Sequence, residues 1–486
     1  MARFENTPVT DLLVVGAGVA GLSAALEAAA MGLEVVVVDA EATYGGASAI
    51  SGGGCLLVGT PVQAALGIED SVQLALSDWS ACGGPTADLI WAKHYLEHST
   101  GDVYDWCESL GITWAQDLVS HVGNSVPRFH KPIGSGARIV AAICGRLRQL
   151  PIGWQLDTRV VHLEPGGGRI LATLSASRGQ RGTIEARAVL VATGGFASNL
   201  SMLRAQPRLA RLDNLLCGSS YTSDGSGLAL LEEFGAQIVN LDEVWIYPIG
   251  TPNYRFPGMS RGLAVRGIYD EIWVNRDGRR FHDENNRGGV AGSAALLDQP
   301  GATAWGIFDS REAEHLLLLD DGYFGTSEYI APHRREEFFS HSPFVWRSDS
   351  IAGLAEKVGI PVAPLEDAVS EFNQAIRLGQ EVDPATGRDL RDARPIQSPP
   401  FYGIQYQPLA QKTFGGVRTD LGCRVLSTAG APIPGLYAAG EVAGMAGGHI
   451  NGTAALEGTM FGPCLFSGRV AGITAAADHR GRFSTG

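Results

Sequence analysis

A chain of 486 residues that is 45% hydrophobic is longer than one simple core needs, so two domains are expected. Its formal net charge of -14 argues against nucleic acid as a partner. The seven cysteines include no CxxC pair, which leaves no zinc ribbon, iron–sulfur run or c-type haem site.

The first predicted strand, residues 12–15, runs into Gly16-Ala17-Gly18-Val19-Ala20-Gly21 and a helix-like stretch over 22–31. A second strand over 34–38 ends in Asp39. Glycines at this spacing allow a tight turn and let N–H groups approach a pyrophosphate at a helix N-terminus. An acid about twenty residues downstream accepts hydrogen bonds from ribose hydroxyls. Tyr44-Gly45-Gly46-Ala47-Ser48 and Ser51-Gly52-Gly53-Gly54 are too rich in glycine for helix or strand. Helical spacing of apolar residues marks 72–110 and 138–150. Residues 154–174 and 183–188 read as strands of a small antiparallel layer. A buried strand over 189–192 then enters Thr193-Gly194-Gly195.

From about residue 241 aromatic residues and prolines thicken, and the stretch to 394 has strands and helices of its own, among them 310–319 and 365–378. The glycine-rich texture returns at Gly435-Leu436-Tyr437-Ala438-Ala439-Gly440-Glu441, and 457–477 reads as a closing helix. This order predicts an α/β chain with a dinucleotide-binding domain over 1–240 and 395–486, split by an inserted domain over 241–394. The N-terminus shows no basic n-region with an apolar h-region, and no apolar stretch is long enough for a bilayer. A cytoplasmic protein with cysteines as small apolar residues, no membrane span and no metal is expected.

Four segments carry a resemblance: 14–21 with Asp39, Gly45-Gly46-Ala47-Ser48, Ala192-Thr193-Gly194-Gly195-Phe196, and 435–441. With Ser223-Asp224-Gly225-Ser226-Gly227-Leu228 and Trp273-Val274-Asn275-Arg276-Asp277-Gly278-Arg279-Arg280-Phe281, the chain resembles the fumarate reductase/succinate dehydrogenase flavoprotein family, which includes the 3-ketosteroid dehydrogenases. The resemblance implies a Rossmann-like FAD-binding domain (GR2-type), an inserted α+β capping domain, and hydride exchange across a C–C bond beside a carbonyl. By position it implies FAD contacts from Gly16, Gly18, Ala20 and Gly21 at the pyrophosphate, and from Asp39 and Ala40 at the adenosine ribose. Gly46, Ala47 and Ser48 would take the phosphate–ribityl side, and Ser51, Gly52 and Gly53 would lie near the isoalloxazine. Ala192, Thr193, Gly194, Asp224 and Gly440 join the cofactor set, and Glu441 would accept from a ribityl hydroxyl. Ala455 and Leu456 would begin the last helix and face the flavin N1/C2 carbonyl edge. Covalent attachment in the family uses a histidine of the second glycine segment; none lies between Asp39 and Gly59, so the FAD is expected to be non-covalent.

The family divides at the substrate. Fumarate reductases hold two carboxylates with arginines and histidines, and Arg287 is the candidate for the proton-donating arginine, one residue short of the family spacing. Its alternative is a surface arginine answering Asp283 and Glu284. Tyr247 stands where fumarate reductases have a histidine, and Lys412 replaces the other, unless Lys412 simply faces solvent. No arginine occurs between Arg424 and Arg469, where fumarate reductases have a carboxylate-binding one. His449 aligns with the ketone-binding tyrosine of ketosteroid dehydrogenases, and Gly452 or Thr453 with their N–H donor; the alternative for His449 is a bond to a loop carbonyl. Tyr254, Tyr269 and Tyr323 are further tyrosines of the insert, some of which must be core aromatics.

The resemblance therefore implies α,β-dehydrogenation of a cyclic ketone, such as a 3-ketosteroid or an oxocyclohexane (carboxylate). The β-hydride would go to flavin N5, the α-proton to a Tyr or Arg base, and the electrons to an external acceptor. The alternatives are a reductase of an activated alkene, such as a fumarate-like acid, and a non-catalytic FAD-binding protein.

Overall fold

The structure, a computed structural model, describes residues 8–256, 258, 260–286, 289–319, 332–445 and 456–483. β1 (Val9–Val15) is apolar and buried over its second half, and α1 (Val19–Ala30) packs ten buried residues behind it. β2 (Val35–Val38), four valines, lies parallel to β1. This near-continuous apolar character is what a strand covered on both faces requires.

The parallel sheet continues on both sides. β3 (Ile152–Gln155) pairs with β2, while β6 (Arg181–Val191) pairs with β1 and with β7 (Pro432–Ala438). The small antiparallel layer is narrower than the sequence suggests. β4 (Thr158–Gly166) and β5 (Arg169–Ala176) form it with the first half of β6, whereas 152–155 belongs to the parallel sheet. Residues 183–188 and 189–191 are one strand, because the parallel ladder to β1 keeps a single register from Glu185 to Val191.

Register decides where the loops go. Val15 lies opposite both Val38 and Val191, Val38 opposite Gln155, and Val191 opposite Ala438. The parallel strands thus end level, and the segments after them converge on one edge, where open α/β sheets hold their ligands.

Other local readings of the first unit change as well. Gly46–Ala49 is a turn of α-helix instead of a loop. Gly45 precedes it at φ 113°, a conformation that only glycine adopts freely, and a Cβ there would lie 2.6 Å from Ala49 Cβ. Residues 72–110 form helices Val72–Gly83, Leu89–His98 and Trp106–Ser109, the last two joined by the π-helix Ser99–Asp105. The closing helix spans Phe461–Phe483, so Leu456 precedes it and is buried outside it.

The chain divides into two units, Met1–Asn199 with Ser220–Trp245 and Lys412–Gly486, and Leu200–Ser219 with Ile246–Gln411. The second unit is built on a mixed sheet in the order Ile272–Val274, Ala304–Asp309, Phe401–Thr413, Val244–Pro252, Gly262–Arg266, Leu317–Leu319. Within 310–319 only Ser310–Ala313 is helical, capped by the Asp309 carboxylate, and Leu317–Leu319 becomes an edge strand paired with Gly262–Arg266. Trp273, Phe308, Phe338 and Tyr406 fill one face of this sheet. Arg280 follows the hairpin at Asn275–Arg279 and binds Glu284 and Asp383, all three buried.

Candidate functional site

The level strand ends of the first unit enclose a cavity. Val15, Val38 and Ala192 close it at the strand tips, and Gly16, Gly18, Val19 and Ala20 bring the start of α1 to its wall. The three glycines do different work. Gly16 has φ 108°, and a Cβ there would overlap the Ala192 carbonyl oxygen. A Cβ on Gly21 would overlap the Gly16 carbonyl oxygen, so that glycine seats helix on strand. A Cβ on Gly18 would find nothing nearer than Ser48 Oγ at 3.9 Å, so the room it leaves belongs to the cavity. The first turn of α1 carries no acidic residue, which leaves its positive end to an anion.

Asp39 lines the same cavity. Its Oδ2 accepts from Ala17 N at 2.6 Å and its Oδ1 from Glu41 N at 2.8 Å. A carboxylate has lone pairs beyond these two bonds, so hydroxyls can still be held. Ser48 Oγ accepts from Val19 N at 3.2 Å and ties the Gly46–Ala49 turn to α1. At another part of the wall Glu441 Oε1 accepts from Thr413 N at 2.9 Å and from Thr413 Oγ1 at 3.0 Å. Burial pushes the Glu441 carboxyl up, while the Thr413 bonds and the nearby Lys412 charge oppose it. Lys412 is half-buried beside this acid and does not simply face solvent. A Cβ on Gly195 would overlap both Thr413 Oγ1 and Glu441 Oε1, which explains that glycine. Burial also pushes up the Cys464 thiol at the cavity wall, keeping it protonated.

Of the sequence-predicted cofactor residues, Gly16, Gly18, Ala20, Asp39, Ala40, Gly46, Ala47, Ser48, Ala192, Thr193, Gly194, Gly440 and Glu441 line one cavity. Gly21 packs behind the wall. Ser51, Gly52 and Gly53 are not among the lining residues; Ser51 bonds Ser48 O and Gly53 N, and the segment packs on the start of helix Ser135–Leu147. Asp224 is also off the wall: its carboxylate takes the Arg159 guanidinium at 2.7 Å and caps Ser226 N at 2.9 Å. Burial pushes that carboxyl up, but Ser226 and Arg159 outweigh it and hold it below its ordinary value. Leu456 is buried away from the cavity lining, and it does not begin the last helix.

Sequence reasoning missed Thr158, Arg159, Val160, Thr222, Ser223, Ser226 and Leu230 on the wall. The signal was available: once 152–155 is read as a third parallel strand, the residues after it must fall beside Asp39.

In the second unit Tyr247 is half-buried on the strand Val244–Pro252, with the Arg266 guanidinium 4.5 Å from its ring centroid. Tyr254 packs on Phe338 and holds the Glu337 carboxylate with Arg255, and Tyr269 is exposed. Arg287, Tyr323, His449, Gly452, Thr453 and Ala455 lie outside the described residues. Among the described residues no cluster of His, Cys, Asp or Glu could hold a metal ion, and no helix is long and apolar enough to cross a membrane.

The cavity suits a dinucleotide: a cradle that a Cβ at Gly18 would fill, a helix start without acid, and carboxylates at Asp39 and Glu441. The family model described as an FAD binding domain matches residues 11–460. A KsdD-like steroid dehydrogenase of Mycobacterium tuberculosis is 31% identical over 97% of this chain and 96% of its own. A probable fumarate reductase of Shewanella frigidimarina is 32% identical over 96% of this chain and 75% of its own. The solved 3-ketosteroid Δ1-dehydrogenase of Sterolibacterium denitrificans, in complex with 1,4-androstadiene-3,17-dione, superposes with a TM-score of 0.78. It covers 97% of this chain and 100% of that one at 21% identity, a likeness of fold. The chain belongs to the FAD-binding flavoprotein oxidoreductases that act on CH–CH bonds, with fumarate reductases and KsdD-like steroid dehydrogenases as its relatives.

Proposed function

We propose that the protein desaturates a cyclic ketone, a 3-ketosteroid or an oxocyclohexane-type ketone, and passes the electrons to an external acceptor. The observation that carries this reading is the end-to-end likeness to a steroid dehydrogenase. It is joined by a stretch from Arg424 to Arg469 without the arginine a dicarboxylate needs. When bound, FAD supplies the two-electron oxidant. The start of α1 at Gly18 and Ala20 would hold its pyrophosphate, Asp39 its adenosine ribose, and Ser48 and Glu441 its ribityl side. His449, with the Gly452 or Thr453 N–H, donates to the ketone oxygen, so charge developing there is stabilised and the α-hydrogens become more acidic. Tyr247, its ring set against Arg266, or Arg287 takes the α-proton.

A second reading is a reductase of an activated alkene. The likeness to a fumarate reductase favours it, as does Arg266, a guanidinium able to hold a carboxylate in two parallel bonds.

Anaerobic mixing of the oxidised protein with saturated cyclic ketones, with and without carboxylates, separates the two. Bleaching of the visible flavin band by a ketone is the expected result. Bleaching by dithionite alone, with colour restored by fumarate-like acids, would sink the desaturase. His449→Ala is expected to slow reduction by the ketone about a hundredfold if it polarises the carbonyl; an unchanged rate removes it from the site.

A further inference from the structure

The ion pair Arg159–Asp224 has no evident task in the fold. Its side chains are 44% and 33% exposed, and a pair so placed stabilises by about 0–1 kcal/mol at most. Yet its geometry is constrained from three sides. Asp224 Oδ1 is fixed by Ser226 N at 2.9 Å, and the Asp224 carbonyl accepts from Asn199 Nδ2 at 2.8 Å. The Arg159 guanidinium then donates to Asp224 Oδ2 at 2.7 Å and to Ser226 Oγ at 3.1 Å.

Its position is set by β4. Thr158 N donates to the Asp39 carbonyl at 2.8 Å, and Asp157 N to that of Glu41 at 2.8 Å. The start of β4 is therefore stitched to the chain just past β2, and Arg159 follows directly, on the cavity wall with Val160 and Leu230. A dinucleotide with its ribose on Asp39 must send its base beyond that carboxylate. This end of the wall offers aliphatic side chains and one planar cation, a combination that suits the face of an aromatic ring. A guanidinium stacks on such a face where an ammonium has no matching plane.

We infer that Arg159 is a positioning residue for the adenine of FAD, held at the cavity wall by Asp224 and Ser226, and that it makes the site select an adenine dinucleotide over a flavin mononucleotide. The inference rests on the adenosine end lying at Asp39.

The test uses the full chain, stripped of flavin and titrated with FAD and with FMN by flavin fluorescence. Arg159→Ala is expected to raise the Kd for FAD about tenfold and to leave that for FMN unchanged, the size of a partly desolvated cation–π contact. Arg159→Lys should lose most of the same preference, and Asp224→Asn part of it. Asp39→Asn is the control for the placement. If it weakens FAD while Arg159→Ala leaves the ratio of the two Kd values within twofold of the parent, Arg159 has no such role. If Asp39→Asn also leaves FAD binding intact, the placement of the adenosine end is wrong and the inference falls with it. A lower melting temperature of the flavin-free variants with no change in that ratio marks a structural pair and overturns the inference. Should Arg159→Ala fail to fold, Arg159→Lys and Asp224→Asn decide by the same ratio.

Discussion

Glycines shape part of the cavity wall of the first unit and the backbone packed behind it, whereas a side of the second unit is held by charge. Gly16, Gly21 and Gly195 are each required by an atom that a Cβ would overlap. Arg280, Glu284, Asp383 and Arg388 are each 4% exposed or less and bind one another. The two constructions tolerate change differently. A glycine wall fails by steric overlap at single positions, while a buried ion network fails when one partner is removed and the others stay charged.

The largest expected effect comes from breaking the network. Glu284 Oε1 accepts from Trp273 N at 2.9 Å, and Oε2 accepts from Arg280 at 3.0 Å and Arg388 at 3.4 Å. Glu284→Ala leaves two buried guanidinium groups short of a partner and is expected to lower unfolding free energy by about 3–5 kcal/mol. Urea unfolding measures it, and a loss under about 1 kcal/mol would mean that the network is not what holds this region. Next comes the steric wall. Gly21→Ala forces backbone apart and should cost about 1–3 kcal/mol, with protein purified without its yellow colour. Gly18→Ala sharpens the contrast: stability should stay within about 0.5 kcal/mol of the parent while FAD affinity falls. Equal FAD retention by both variants would break the distinction between a packing glycine and a ligand glycine.

A further contrast concerns acid. Burial lowers the His130 pKa to about 4, against the pull of the Arg128 carbonyl and Asp70. His130 Nδ1 lies 2.7 Å from that carbonyl and Nε2 2.7 Å from Thr60 Oγ1, an arrangement for the neutral ring. Its folded pKa lies below the unfolded value, so the unfolded chain takes the proton first. The stability that neutral His130 contributes is present above about pH 6.5 and drains away as pH falls toward 4. By pH 5 the loss is about 2 kcal/mol. Asp309 in the second unit behaves otherwise. Burial raises it, but Arg311 and the amides of Gln397 and Ser398 hold it low, so its contribution is lost only below about pH 3.8. Melting curves between pH 7 and 5 check the difference; His130→Gln should flatten the dependence, and an unchanged slope removes His130 as its source.

The cofactor wall was legible where one residue does one local job. Gly16, Gly18, Asp39, Ala192 and Glu441 are recognisable because strand, turn and acid occur in fixed order along the chain. The opposite holds for Arg159, which is an ordinary exposed arginine on a strand until β3 is seen to continue the parallel sheet. Leu456 was placed at the start of the last helix by resemblance alone, and it precedes a helix that begins at Phe461. The ion network was hidden, because Arg280 and Glu284 lie about a hundred residues from Asp383 and Arg388 in sequence, and the two pairs meet only when their backbone is brought together.

By itself, then, the sequence determined the cofactor class and the order of the elements, since apolar periodicity, glycine spacing and a single acid act over short stretches. Only the tertiary structure decided which residues share a wall. Level strand ends bring 16–21, 39–41, 158–160, 192–195 and 439–441 to one edge, and that convergence follows from hydrogen-bond register between distant segments, which no local pattern encodes.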